Sequence, residues 1–326
     1  MLLQKAGIWM KKKETGVGVK KRSRSKLLRR YWGQRELFMM IIPCMIFTFI
    51  FNYMPLRGWI MAFQKFKPAK GYSGSEFVGL DQFEFLFKDK IFWQTVRNTL
   101  AMSTLNLVFG FLFSIGFALL LNEIRKTGRK RIVQTISYLP HFLSWVIVCS
   151  LISDMLSSSD GALNNLLMNF GIIEDPILFL GKKEYFWWIN TFGNIWKEMG
   201  WNSIIYIAAM AGIDPGLYEA AEIDGANRYR KMWHVTLPGI RNTIIVILIM
   251  NIGWILNAGF ELPYLLGRGL VLDYSETIDI FVLKYGISSG NYSLATAAGM
   301  FKSVISIILV ASTNFISKKC GEEALM

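Results

Sequence analysis

Three charged side chains sit inside stretches whose apolar length suits lipid: Lys197 and Glu198 in 189–211, and Lys302 in 294–316. Charges in such segments face a bundle interior or water and find a partner. They can form a structural ion pair, snorkel to headgroups or meet an anionic ligand. A second set has hydrogen-bonding and stacking chemistry. Trp201, Asn202 and Tyr206 cluster in the first stretch. Asn251, Trp254, Asn257 and Glu261 recur three or four residues apart, a spacing that predicts one helix face.

Other chemistries lack support. Gly181-Lys182-Lys183 comes nearest to the G-x-x-x-x-G-K-S/T phosphate loop but lacks its upstream Gly and its hydroxyl. ATP binding by this chain is therefore not expected. No Ser/His/Asp or metal constellation stands in a plausible context, so no enzyme activity and no resident cofactor or metal is expected. His141 and His234 lack metal-binding spacing and read as packing or interface residues. Cys44, Cys149 and Cys320 are far apart and form no CxxC pair, so neither a disulfide framework nor a zinc site follows.

The elements that must position these groups are membrane helices. Of 326 residues, 53% are apolar and 18% charged, against about 25% charged in a soluble domain. A crossing helix needs about 20 mostly apolar residues, and six stretches qualify: about 37–55, 98–121, 132–153, 189–211, 243–259 and 294–316. The fold class is therefore an all-α membrane protein with one permease-like domain over 36–318. Within the second stretch, Gly110, Ser114 and Ala118 repeat at intervals of four, which predicts close helix packing.

The net charge of +13 would suggest nucleic acid in a soluble chain; here it reports topology, and no nucleic-acid partner is expected. The first 35 residues hold twelve Lys and Arg, and 122–131 holds five. Arg228, Arg230, Lys231 and Arg241 precede the fifth stretch, and Lys318 and Lys319 follow the sixth. With six spans these all lie on one face, so both termini are expected in the cytoplasm. The basic arm over 1–35 is too long for a cleavable signal peptide and runs into a span-length stretch. It reads as an arm lying on anionic lipid; a specific partner for it stays open. A short cytoplasmic tail covers 319–326.

Between the fourth and fifth stretches lies a polar, basic loop over 214–240. Asp214-Pro215 is a good helix start, and 217–224 has the length of two turns. Gly225 permits a bend that a side chain would resist. A second short helix over 226–234 is expected to stop at Leu237-Pro238, because Pro disfavours helix in the residue before it.

Here a resemblance becomes specific. Glu219-Ala220-Ala221, then Gly225, nine residues, Val235, one residue and Leu237-Pro238 resembles the EAA loop of binding-protein-dependent ABC importer permeases. The family usually has Ile where Val235 stands. Phe77-Val78-Gly79-Leu80-Asp81-Gln82-Phe83, followed by Asn98-Thr99-Leu100, is similar to permeases of the maltose-transporter-like class. Trp254-Ile255-Leu256-Asn257-Ala258-Gly259-Phe260-Glu261 and Asn314-Phe315-Ile316-Ser317-Lys318-Lys319 look like its branch for complex oligosaccharides and polysaccharide fragments.

The resemblance implies partners and a mechanism. A second, homologous permease would complete the membrane unit, and two ATPase subunits would bind ATP and Mg. An extracytoplasmic solute-binding protein would deliver the oligosaccharide. The two turns holding Glu219, Ala220 and Ala221 would be a coupling helix docked in the ATPase, with Asp224, Gly225, Arg228, Leu237 and Pro238 shaping the loop. Localisation would be the cell membrane, in a cell that looks Gram-positive. A secondary transporter driven by an ion gradient is the rival; it would show an inverted repeat, and none is convincing.

Sugars are held by aromatic faces with a few convergent polar groups. The substrate path is therefore expected among Lys197, Trp201, Asn202, Tyr206, Asn251, Trp254, Asn257, Glu261 and Lys302. Lys197 and Lys302 read first as structural ion pairs or as cations snorkelling to headgroups, and otherwise would meet the carboxylates of an acidic oligosaccharide. Trp187-Trp188 reads as an interfacial aromatic belt, and the set around Trp254 also as packing against the second permease.

Overall fold

The computed structural model describes residues 34–319. Most of the basic arm, the end of the tail and Cys320 lie outside the described residues. The chain divides into two units, Met1–Arg57 and Gly58–Met326. A 29-residue helix, α1, runs Arg35–Phe63. None of its most apolar 18-residue window is buried, which suits a helix surrounded by lipid.

In the larger unit two short strands, β1 (Gln64–Lys65) and β2 (Glu76–Phe77), pair antiparallel with Gln64 opposite Phe77. A short helix α2 (Asp81–Lys88) follows. Helix α3 (Lys90–Asn122) starts where the Asp89 carboxylate accepts from the Ile91 N–H at 2.8 Å, which satisfies one of the free donors of a first turn. Its 33 residues extend about 50 Å, and no charge falls between Asn98 and Leu121.

The stretch 132–153 is not one helix. Helices α4 (Thr127–Phe142) and α5 (Trp145–Met155) meet at 102°. Pro140 supplies no N–H to the ladder and tightens the end of α4. Leu143 is extended, and the Ser144 hydroxyl accepts from Ile147 N–H at 3.4 Å, so that a new helix starts there. Helix α6 (Ala162–Asn169) is short, and α7 (Lys183–Ala211) is 29 residues long.

The polar loop forms α8 (Pro215–Ile223), which begins where Asp214 accepts from Gly216 N–H at 2.9 Å. Gly225 follows with φ +75, a left-handed conformation that suits a residue without Cβ. Helix α9 (Arg228–Gly239) is capped by Asn227, whose Oδ1 accepts from Arg230 N–H at 2.9 Å. The expected stop at Leu237-Pro238 does not occur: the helix passes through Pro238 to Gly239. A wider turn over Met232–Thr236 precedes Pro238, and such turns re-space the hydrogen-bond ladder.

Helix α10 (Arg241–Gly253) meets α9 at 60°. It ends six residues before the predicted boundary at 259. Gly253 is a poor helix former, and Gly259 takes φ +85. Short helices α11 (Glu261–Leu266) and α12 (Ile278–Leu283) lead to α13 (Tyr292–Lys319). By length and composition, three helices among the described residues can cross a membrane, or up to five if each bent pair is one span. Helix α7, with Lys197 and Glu198 at its middle, is not one of these.

Helices α3 and α7 make the most extensive contact in the fold. Ala118 of α3 is buried against Tyr206 and Met210 of α7 and Ile240. At the opposite end of α3, Phe92, Ile278, Phe281 and Leu294 form a second core. There the Asn98 amide donates to the carbonyls of Asp273 and Glu276 at 2.9 and 3.0 Å, and the Thr99 hydroxyl accepts from Ile278 N–H. Asn98-Thr99 thus ties the 273–278 turn to α3. The small-residue spacing has a different outcome from the one expected. Ala118 packs, but a Cβ at Gly110 would meet nothing within 4 Å. Close approach instead occurs at Gly193, Gly200 and Gly253, where an added Cβ would fall within 3.0 Å of a neighbour.

Candidate functional site

One face of α3 presents Ser103, Asn106, Gly110 and Ser114, at intervals of three or four. With α7 and α10 that face encloses a cleft of about 220 Å³. Asn202, Ile205 and Tyr206 line it from α7; Ile247 and Asn251 line it from α10. The non-helical continuation of α10 adds Trp254, Ile255 and Asn257. No charged side chain lines it among the described residues.

The polar groups on the α3 face are unusual in one respect. Ser103 Oγ, Asn106 Oδ1 and Ser114 Oγ are buried and have no hydrogen-bond partner. Ser103 is 5% and Ser114 2% exposed. A buried polar group left unpaired costs about 1–3 kcal/mol, and nearly all such groups in folded proteins have a protein or water partner. Three in one cleft suit a surface completed by water or by a hydroxylated ligand. Across the cleft, the Asn251 amide donates to its own helix at Ile247 O, 3.0 Å away. Its carbonyl oxygen remains as an acceptor.

The structure brings together Asn202, Tyr206, Asn251, Trp254 and Asn257. It separates the remaining predicted path residues from them. The expectation of one helix face for Asn251, Trp254, Asn257 and Glu261 fails because α10 stops at Gly253. Glu261 instead opens α11 and does not line the cleft. Trp201 points to the α4–α5 bend, where its indole stacks on the His141 imidazole. Lys197 is 4% exposed, and its ammonium donates to His141 O at 2.5 Å and lies 3.4 Å from Glu198 Oε1. Lys302 pairs with Asp279 at 2.6 Å. Neither lysine reaches the cleft. The α3 residues Ser103, Asn106 and Ser114 were not among the predicted path residues. Their signal was polar residues at helical spacing in the otherwise apolar, uncharged stretch 98–121 of α3.

The second region is the loop around α8. Glu219, Ala220, Asp224, Gly225, Arg228 and Pro238 are exposed, whereas Ala221 and Leu237 are half-buried. Ile223 is 88% exposed, and Tyr229 and Trp233 are also exposed. The Lys231 ammonium donates to Glu222 at 2.5 Å and joins α9 to α8. That hydrogen bond, with the Lys231 charge and a smaller contribution from Arg125, holds the Glu222 carboxyl below its ordinary value. The Tyr218 and Thr236 hydroxyls lie 3.0 Å apart and make a second tie between the helices. The two-helix loop is therefore braced internally and presents an apolar and an acidic tip.

Comparison with known proteins agrees with this architecture. Residues 107–321 match the family model described as "Binding-protein-dependent transport system inner membrane component". The polygalacturonan/rhamnogalacturonan transport system permease protein YteP of Bacillus subtilis (strain 168) is 44% identical over 306 residues, covering 94% of this chain and 95% of the relative. Protein LplB of the same organism is 43% identical, covering 89% and 90%. Among solved structures, a bacterial alginate ABC transporter in complex with an alginate pentasaccharide-bound periplasmic protein aligns with TM-score 0.83 and 38% identity, covering 92% of this chain and 100% of that chain. A mostly helical permease fold, a polar cleft and a family match along 107–321 agree: the chain belongs to the family of binding-protein-dependent transport system inner membrane components.

Proposed function

We propose that this chain is the transmembrane permease subunit of an ATP-driven ABC importer that moves an oligosaccharide across the cell membrane by alternating access. The carrying observation is the polar cleft of α3, α7 and α10 inside a permease fold. A relative named for polygalacturonan and rhamnogalacturonan transport, and a fold shared with an alginate importer, favour fragments of acidic polysaccharides as substrate. The substrate path runs past Asn202, Tyr206, Asn251, Trp254 and Asn257.

Six spans are the reading that best fits the cleft. Helix α10 has 13 residues, about 20 Å at 1.5 Å per residue, too short for a hydrocarbon core of about 30 Å. The fifth span is completed by the non-helical segment 254–260. Irregular backbone at membrane depth is tolerated where it lines a water-filled cavity, and Trp254 and Asn257 line the cleft. In the same reading both termini and the loop 214–240 face the cytoplasm. The membrane is that of a Gram-positive cell, as in the Bacillus relatives.

The chain supplies no ATP site. A second permease completes the membrane unit, two ATPase subunits hold ATP and Mg, and an extracytoplasmic binding protein delivers the sugar. The tip with exposed Glu219, Ala220 and Ile223 and half-buried Ala221 docks in the ATPase. The Glu222–Lys231 and Tyr218–Thr236 ties make α8 and α9 one rigid lever, which suits transmission of a rigid-body movement.

Purification of the chain from its native membrane in mild detergent tests this. A second permease and an ATPase are expected to co-purify. Glu219→Lys is expected to lose the ATPase alone and to abolish uptake while the chain still inserts. Recovery of the chain by itself, where other multi-subunit importers stay intact, would overturn the reading.

A further inference from the structure

We propose that the cleft reads an oligosaccharide through its hydroxyls and a ring face only, and is electrostatically neutral toward any carboxylates the sugar carries. This rests on the placement of the substrate path proposed above. Selection for an acidic sugar then falls to groups outside the cleft.

The cleft wall offers Ser103, Asn106 and Ser114 with unpartnered oxygens, the amides of Asn202 and Asn251, and the exposed indole of Trp254. All are neutral, and hydroxyls and amides exchange hydrogen bonds with sugar hydroxyls in either direction. The two cations that could have met a carboxylate are committed elsewhere. Lys197 donates to the carbonyl of His141 at the α4–α5 bend and pairs with Glu198. Lys302 is held by Asp279, and neither residue lines the cleft.

A neutral wall has a kinetic reason. An ammonium adds to its hydrogen bond a charge–charge attraction for a carboxylate that a neutral amide or hydroxyl lacks. A fixed ammonium would therefore hold each passing uronate, and a path must bind weakly enough to release. Carboxylates keep their water in a cleft of this chemistry while the hydroxyl edge and ring face slide past amides and an indole.

The test measures the potential of the cleft in the assembled importer, independently of any sugar. In a background with Cys44, Cys149 and Cys320 changed to Ser, a single Asn251→Cys or Asn202→Cys is modified by an anionic and by a cationic methanethiosulfonate. The expected ratio of the two rates is that of cysteine free in solution. Lys302→Met with Asp279→Asn, or Lys197→Gln, leaves that ratio unchanged. An ammonium beside the thiol would favour the anionic reagent by roughly tenfold; a lean of that size overturns the proposal, and its loss on changing a lysine would name the source. If neither position reacts with either reagent, the cleft is closed to water and the proposal also falls. The rates are read whether or not uptake occurs, so failure of the importer reading shows separately, as a missing ATPase and absent uptake.

Discussion

The imidazole of His141 lies flat on the indole of Trp201, with ring centroids 4.3 Å apart and planes 3° from parallel. The contact joins the last turn of α4 to the middle of α7. His141 Nδ1 lies 2.7 Å from Glu198 Oε2, and the His141 carbonyl takes the Lys197 ammonium. A Cβ at Gly200 would stand 2.1 Å from Ser137 O, so the two backbones touch there. The residues of α7 from 197 to 201 thus pin a helix that bends by 102°. A broken helix needs its freed carbonyls satisfied from outside, and the buried Lys197 does so here.

Gly200→Ala is expected to destabilise strongly. The added methyl meets backbone rather than a movable side-chain end, so the cost should reach the upper part of the range for overpacking, about 3 kcal/mol. A lowered thermal midpoint of the detergent-solubilised importer reads this out. An unchanged midpoint would mean that α4 moves aside freely.

Lys197→Met removes the donor from His141 O and the partner of Glu198. The expected loss is about 1–3 kcal/mol, the cost of leaving a buried acceptor unpaired. Lys197→Arg keeps charge and donors and should recover part of it. Equal midpoints for the Met variant and the wild type would show that the ammonium does not hold the bend.

The Glu222–Lys231 tie predicts a pH dependence of the loop. The carboxyl is held below its ordinary value by Lys231, so the fold favours its ionised form. The contribution is complete above the unfolded value of about 4.3 and is lost as pH falls through the lowered folded value. A spin label on Ile223→Cys is expected to keep its mobility from pH 8 down to about that unfolded value and to loosen only below it. Glu222→Gln should loosen it at every pH, and the swap Glu222→Lys with Lys231→Glu should tighten it again. Insensitivity of the label to Glu222→Gln would show that α8 is not braced by this pair.

Much of the fold is legible in residue types, and the limits have physical causes. Asp214-Pro215 and Gly225 carry their own local instructions, a cap and a left-handed turn, and the structure uses both. Pro238 misleads because a wider turn upstream absorbs its missing donor. The end of α10 is hidden for another reason: Trp254 and Asn257 keep helical spacing after Gly253 has ended the helix, and spacing alone cannot reveal a break. The committed partners of Lys197 and Lys302 are long-range contacts, with His141 and Asp279 supplied by other helices. Gly110 and Ser114 have the spacing of a packing motif, and only the position of α10 decides that they face a cleft.

Ser114 separates the stability role of the cleft from its transport role. Its hydroxyl is buried without a partner, so it contributes no hydrogen bond to the fold and costs stability through its desolvation. Ser114→Ala is therefore expected to leave the thermal midpoint unchanged or to raise it, by up to about 1–2 kcal/mol. If sugar hydroxyls are its partners during passage, the same change lowers uptake several-fold, about the 0.5–1.5 kcal/mol of one neutral hydrogen bond. Ala118, one turn farther along α3, is buried against Tyr206 and Met210 and away from the cleft lining. Ala118→Gly should do the reverse, lowering the midpoint while uptake per folded importer stays near wild type. Loss of stability in Ser114→Ala with full uptake would identify the α3 face as packing surface and remove the cleft from the substrate path.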